Sequence, residues 1–196
     1  MNPVDPATLN RIFLEARTHR SWTDWPVPDA LLRDIYATAA MAPTSMNTQP
    51  LRIVFVASAE AKERLRPALA PGNVDKTMSA PVTAIFASDM QFYDMLPAAV
   101  PPAPDPRMIF GGKDALIAET AFRNSSLQAG YFMLAARAYG LDCGGMSGFT
   151  ADTVNAAFFP DGRYKANFLC NFGYGSGEGI RPRAPRLTFD DVARIL

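Results

Sequence analysis

The side chains best able to do chemistry in this sequence sit in five short stretches, and most of them suit binding better than acid–base work. "RTHRSW" sets Arg17, Thr18, His19 and Arg20 in succession, giving two guanidiniums, a hydroxyl and an imidazole within four residues. A phosphate dianion takes such a fork of donors, each shielded charge-assisted bond being worth roughly 1.5–3 kcal/mol. Basic side chains closing a helix against its dipole are the alternative. "PTSMNTQP" places Thr44, Ser45, Met46, Asn47 and Gln49 between two prolines, with more donors and acceptors than a helix-to-strand connection needs, although an Asx or Ser/Thr turn would also use them. "GNVDK" offers Asn73 and Lys76 three apart, on what could equally be an exposed turn. "CGGMSGF" contains Gly145, Met146, Ser147 and Gly148, small enough for backbone to lie against a flat ring or to make a simple turn. "RPRAPR" adds Arg181, Arg183 and Arg186, as ligands or as a solvated tail.

Other chemistries are excluded by what is missing. "GYGSGEG", residues 173–179, has the glycines of a dinucleotide fingerprint but runs into "IRPRAP", which cannot open a helix. No phosphate-loop pattern ending in Gly-Lys-Ser/Thr occurs, and no carboxylate pair has catalytic spacing. His19 is the only histidine, and Cys143 and Cys170 stand far apart. This argues against a His/Cys metal site and against any triad not built on His19. An enzyme made from these residues would take its chemistry from an organic cofactor.

The bulk composition points the same way. Nineteen basic and nineteen acidic residues cancel, and the isoelectric point near 6.6 disfavours a nucleic-acid or membrane-surface partner. Hydrophobic content of 48%, with 11% aromatic, suits a globular chain of one domain over residues 1–196. "MNPVDPATLN" lacks the charged and apolar regions of a secretion signal, and no apolar run reaches membrane-spanning length, so the cytoplasm is the expected compartment.

These residues need elements to position them. Leu9, Ile12, Phe13 and Ala16 recur at helical spacing over residues 6–17, and Leu31, Leu32, Ile35, Tyr36 and Ala39 do so from Pro28 to Met41. "LRIVFVA" reads as a buried strand, "AKERLRPALA" as a short exposed helix, and "VTAIFAS", residues 82–88, as a core strand. Five prolines in residues 97–106 argue against regular structure there, and the 97–112 segment is expected to form a flexible lid or flap. A long helix is expected from Asp114 to Tyr139, apolar on most faces and closed by Gly140. "YKANFLCNFGYG" gives a third strand, and the tail ends in a short helix. Without a βαβ rhythm, the class expected is α+β.

Taken in order, an arginine-rich helix exit, a Pro-Thr-Ser-x-Asn-x-Gln-Pro loop, Asn-x-x-Lys, a glycine-rich turn and a late arginine resemble the nitroreductase family of FMN enzymes along essentially the whole chain. The resemblance implies a central mixed sheet flanked by helices in an intertwined homodimer, with FMN at the interface and NADH or NADPH as electron donor. Carried over by position, Arg17, Thr18 and Arg20, with His19 beside them, would hold the phosphate and ribityl end. Thr44, Ser45, Met46 and Asn47 would reach the flavin from the partner subunit. Asn73 and Lys76 would contact the ring edge, Gly145, Met146, Ser147 and Gly148 would line its face, and Arg183 would bind phosphate, a role open also to Arg181 or Arg186. Ala16 stands where the family usually has its first arginine, and Gly145 and Ser147 replace a usual Pro and Glu. The runs "ARTHRSW", "GNVDKT", "SAPVTAI", "AFRNSSLQAGY" and "GGMSGF" most resemble the members that reduce malonic semialdehyde in pyrimidine degradation. Nitroaromatics or quinones are the other acceptors the resemblance allows, and a flavin-free binding module is the non-enzymatic alternative.

Overall fold

The computed structural model describes residues 2–95 and 105–196. Two apolar strands make its centre. β1 (Leu51–Val56) pairs antiparallel with β2 (Val82–Asp89), and β2 is buried at every position. On the other side of β2 lies β4 (Tyr164–Gly173), which in turn pairs with β3 (Asp142–Met146). The order is β1-β2-β4-β3, and all three pairings are antiparallel. The class is therefore α+β as expected, but the mixed sheet is corrected: among the described residues the one parallel pairing is an isolated bridge, Thr18 to Cys143.

The long helix α6 (Asp114–Ala138) lies across this sheet. Phe132 enters the core from it and meets Phe86 and Phe172 edge-on, with ring centroids 5.6 and 5.4 Å away. Each such buried ring contributes roughly 2–3 kcal/mol by area. Gly140 follows in left-handed backbone at φ +92°, which ends the helix in the way its sequence predicts. α2 (Asp29–Ala39) packs beside α6 through Leu32, Ile35 and Ala39, spaced for one helical face.

Several expectations change on contact with the fold. The first helix is short: α1 (Pro6–Leu9) passes into one π-helical turn at Asn10–Leu14. β1 is an edge strand and only half-buried. α3 (Ala59–Leu65) is not simply exposed, since Lys62 and Leu65 are buried under it. α4 (Val74–Met78) and α7 (Ala151–Phe158) are further helices. Most of the proline-rich segment, residues 97–104, lies outside the described residues. Within the remainder, Pro106 opens a helix, α5 (Pro106–Phe110), capped by the Asp105 carboxylate accepting from the Arg107 N–H at 2.9 Å. The "CGGMSGF" turn is corrected as well: Asp142–Met146 is strand, and only Ser147 onward turns. The tail carries α8 (Phe189–Val192) behind a capping box at Thr188 and Asp191. No helix among the described residues is long and apolar enough to cross a membrane.

Candidate active site

The short strand β3 gathers three of the five stretches. Its outer edge bridges to Thr18, and the His19 N–H donates to the Cys143 carbonyl at 3.0 Å. This approach requires glycine next door, since a Cβ on Gly144 would stand 2.7 Å from the His19 carbonyl oxygen. Beyond the strand, Gly148 accepts through its carbonyl from the Asn73 side-chain amide at 2.7 Å and from the Ala70 N–H at 3.0 Å. Asn73 and Lys76 are thereby brought close to residues 145–148 at the end of β3. The Lys76 carbonyl is fixed in turn by the Trp22 indole N–H and the Asn171 amide, both at 3.0 Å.

Electrostatics mark this region. Burial, and then the Arg20 guanidinium nearby, pushes the Lys76 ammonium below its usual pKa. Arg17, Thr18 and Arg20 line a cavity of about 490 Å³ together with Arg137 and the late arginines Arg181, Arg183 and Arg186. Among the described residues, no acidic one lines it. The guanidiniums are instead held in place by backbone: Arg17 donates to the Arg181 carbonyl, and Arg183 to those of Leu14 and Ala16 at 2.6 and 2.8 Å. Arg186 bonds its own neighbours Ala184 and Pro185. Neutral carbonyls leave the positive charge uncompensated, which is the condition for capturing an anion.

His19 takes a different position from its neighbours. It is buried, 3.5 Å from the Asp142 carboxylate through Nε2, and its Nδ1 has no hydrogen-bond partner among the described residues. The ring fills the space over Gly175, where a Cβ would come within 1.8 Å of Nδ1. Asp142 also accepts from the Gly175 N–H at 3.0 Å. His19 thus locks the arginine loop to the root of the tail.

The remaining stretch lies elsewhere. Ser45, Met46 and Asn47 are exposed, and the hydrogen bonds of this loop run to α6, to Arg52 and within itself. Among the described residues none of them reaches 17–20, 73–76 or 145–148. Met46, Asn47 and Gln49 have φ of +52°, +56° and +40°, and among the described residues these are all the non-glycine residues in left-handed backbone. Each costs on the order of 1 kcal/mol or more, and strain of this kind persists only where neighbours over-determine it. The Ser45 N–H donates to the Asn124 side-chain oxygen at 2.8 Å, the Gln49 N–H to the Thr44 hydroxyl at 3.2 Å, and the Leu51 N–H to the Gln128 side-chain oxygen at 3.1 Å. Asn124 and Gln128 are residues that sequence reasoning missed. Their signal was Thr120, Asn124 and Gln128 at intervals of four, one buried polar line down a helix otherwise read as apolar.

Neither cysteine offers a nucleophile, since Cys143 and Cys170 are both buried and burial drives the Cys170 thiol well above its usual pKa. No group of three His, Cys, Asp or Glu among the described residues is placed to hold a metal ion.

The fold thus has an antiparallel α+β core, a cavity lined by arginines and, apart from it, a strained polar loop. The profile of the nitroreductase family matches residues 14–174. A provisionally named NADH dehydrogenase/NAD(P)H nitroreductase of Polynucleobacter asymbioticus is 57% identical over 193 residues, 98% of each chain. One from Ralstonia nicotianae, under the same provisional name, is 52% identical over 196 residues, the whole of both. A nitroreductase from Exiguobacterium sibiricum 255-15, solved in complex with FMN, superposes with a TM-score of 0.85 at 23% identity, covering 100% of this chain and 99% of that one. The chain belongs to the nitroreductase family.

Proposed function

We propose that the protein is an FMN-dependent NAD(P)H oxidoreductase that works as a homodimer. The observation that carries this reading is the arginine-lined cavity, whose Arg20 lies near Lys76, with Asn73 bonded to Gly148 at the end of β3. Its donor set fits FMN. Arg17, Arg20 and Arg183 would hold the phosphate, with Arg181 or Arg186 able to join them, and Thr18 would serve the ribityl chain, while His19 keeps their loop in place. Asn73, Lys76 and the backbone of Gly145, Met146, Ser147 and Gly148 would meet the ring.

When bound, FMN supplies hydride transfer from NADH or NADPH to an acceptor. The protein's own contribution is positional and electrostatic. A partly buried ammonium at Lys76, already disfavoured by Arg20, is stabilised by any negative charge brought against it. Trp22 and Asn171 hold its backbone so that it need not reorganise.

The second subunit is invoked for two reasons. The 44–49 loop presents Ser45, Met46 and Asn47 outward, away from the cavity of its own chain. α6 also exposes Leu116, Phe122, Leu127 and Tyr131, and the tail exposes Leu187, Phe189, Val192, Ile195 and Leu196. Apolar surface of that kind is usually covered by a partner. Thr44, Ser45, Met46 and Asn47 would then complete the site of the other subunit.

For the acceptor we infer 3-oxopropanoate (malonic semialdehyde), reduced to 3-hydroxypropanoate in pyrimidine degradation. The sequence runs that resemble that subgroup support it. The nitroreductase names of the relatives favour a nitro acceptor instead, and a quinone is the other acceptor the family resemblance allows. The test is the visible spectrum of the purified protein, reduced anaerobically with NADH and then given each acceptor. Flavin bands that bleach and return fastest with 3-oxopropanoate are expected. Return only with a nitroarene or quinone would overturn the substrate, and a colourless protein that cannot take up FMN would overturn the cofactor and leave a binding module.

A further inference from the structure

Arg52 lies outside every stretch discussed for the cofactor, yet it grips the strained loop. Its guanidinium donates to the Gln49 carbonyl at 3.0 Å and to the Leu51 carbonyl at 2.9 Å, on either side of Pro50. Its other arm meets the Asp89 carboxylate at 2.7 Å. Asp89 ends β2 and is fully buried, and its own N–H donates to the Pro50 carbonyl at 2.8 Å. The exit of the loop is therefore bonded at three successive carbonyls, of Gln49, Pro50 and Leu51, by one aspartate and the arginine it holds. Gln49, the first of these, is itself left-handed at φ +40°. A planar guanidinium can serve two carbonyls and a carboxylate at once, whereas an ammonium offers no such fork.

Arg163 supplies an internal control. It pairs with the same carboxylate, at 2.8 Å through Nε and 3.0 Å through Nη2, but its remaining hydrogen bond goes to the Gln91 carbonyl, away from the loop. Two arginines thus share one buried acid, and only one of them touches residues 44–51.

We propose that Arg52, anchored by Asp89, is a positioning residue for the cofactor. It holds Met46, Asn47 and Gln49 in their left-handed backbone, so that the loop is already formed when FMN meets it. The proposal rests on the reading above in which this loop completes the FMN site. Preorganisation of this sort appears in binding, because a loop that must be ordered by the ligand lowers the ligand's affinity.

The experiment is FMN titration of the deflavinated protein, followed by quenching of flavin fluorescence, with thermal unfolding of each apoprotein in parallel. The variants are Arg52→Met, Arg163→Met, Asn47→Ala and Arg52→Met/Asn47→Ala. Arg52→Met is expected to weaken FMN binding roughly tenfold, and the double variant to be no weaker than the stronger-acting single, as coupled residues require. Arg163→Met is expected to lower the melting temperature as much as Arg52→Met while leaving FMN affinity within about twofold. Equal losses of affinity from both arginines, or fully additive effects in the double variant, would reduce Arg52 to a structural ion pair and overturn the inference. If Asn47→Ala itself leaves FMN binding unchanged, the loop reading fails first and is recognised as such. Should Arg52→Met not fold, Arg52→Lys keeps a charge against Asp89 without the fork. It is then expected to fold and still bind FMN several-fold more weakly, and wild-type affinity in that variant would overturn the inference.

Discussion

Two groups of arginines sit in this molecule under opposite conditions. At the end of β2, Arg52 and Arg163 share the fully buried Asp89 carboxylate, which holds the Arg163 guanidinium charged above its already high ordinary range. Arg17, Arg20, Arg137, Arg181, Arg183 and Arg186 instead line a cavity with no carboxylate among its described lining residues. The first group is neutralised by the fold and is part of its construction. In the second, Arg17, Arg137, Arg183 and Arg186 are held by neutral carbonyls, and the group keeps its charge for something that arrives from outside. Location of the compensating acid, more than the number of arginines, separates an architectural cluster from a binding one.

The largest expected effect comes from breaking the architectural group at its acid. Asp89→Asn takes the counter-charge from Arg52 and leaves Arg163 only Asp94 at 4.0 Å, and a loss of about 3 kcal/mol in urea unfolding is expected. A loss below 1 kcal/mol would mean that water already compensates them. On the binding side, Arg17→Ala is expected to weaken FMN about tenfold or more while barely changing the affinity for riboflavin, which lacks the phosphate. Equal losses for both ligands, measured calorimetrically, would move Arg17 away from the phosphate.

Lys62 extends the comparison to a buried cation with carbonyl partners alone. Its ammonium donates to the Met78 carbonyl at 3.1 Å and to that of Ala80, closing α4 behind Lys76. Lys62→Met is expected to cost about 1–2 kcal/mol in urea at neutral pH. Burial lowers the pKa of Lys62 below its ordinary 10.5. A folded pKa lower than the unfolded one means that the unfolded chain binds more protons in the interval between them. Stability contributed by Lys62 therefore rises with pH as the ordinary value is approached, and the rise is absent from Lys62→Met. Urea midpoints of both proteins between about pH 8 and 10 check the sign. The smallest effect belongs to an arginine whose acid is on the surface. Glu63 forks Arg66 at 2.7 Å in full exposure, and Glu63→Gln is expected to leave the urea midpoint unchanged within error.

The sequence was most legible where a local pattern and a tertiary need agree. Leu32, Ile35 and Ala39 mark one face of α2, β2 is an unbroken apolar run, and Gly140 closes α6, each readable within a few residues. β3 was not readable, because Gly144 and Gly145 lower strand propensity and the strand exists through pairing with β4 and the approach of His19. The same holds for Asp89. A single acid at the end of an apolar run reads as the exit of a strand, and its arginines come from β1 and from the bend just before β4. The order of the site motifs was visible, and β3 explains how three of them meet. That Arg183 and Arg17 are braced by carbonyls, and that the 44–49 loop is strained, are facts of backbone geometry that no residue type announces.

Gly175 carries a consequence for how this protein can vary. The His19 ring occupies the volume that any larger residue at 175 would need. A substitution there would have to evict the only histidine, and with it disturb the arginine loop and the departure of the tail together. Random diversification of residues 173–176 should therefore yield libraries in which nearly every folded survivor has kept glycine at 175. The tail beyond it, exposed over most of its length, should accept change freely outside the arginines that line the cavity and wherever no second chain covers it. One missing methyl group separates a stretch of the chain with almost no mutational latitude from one with a great deal.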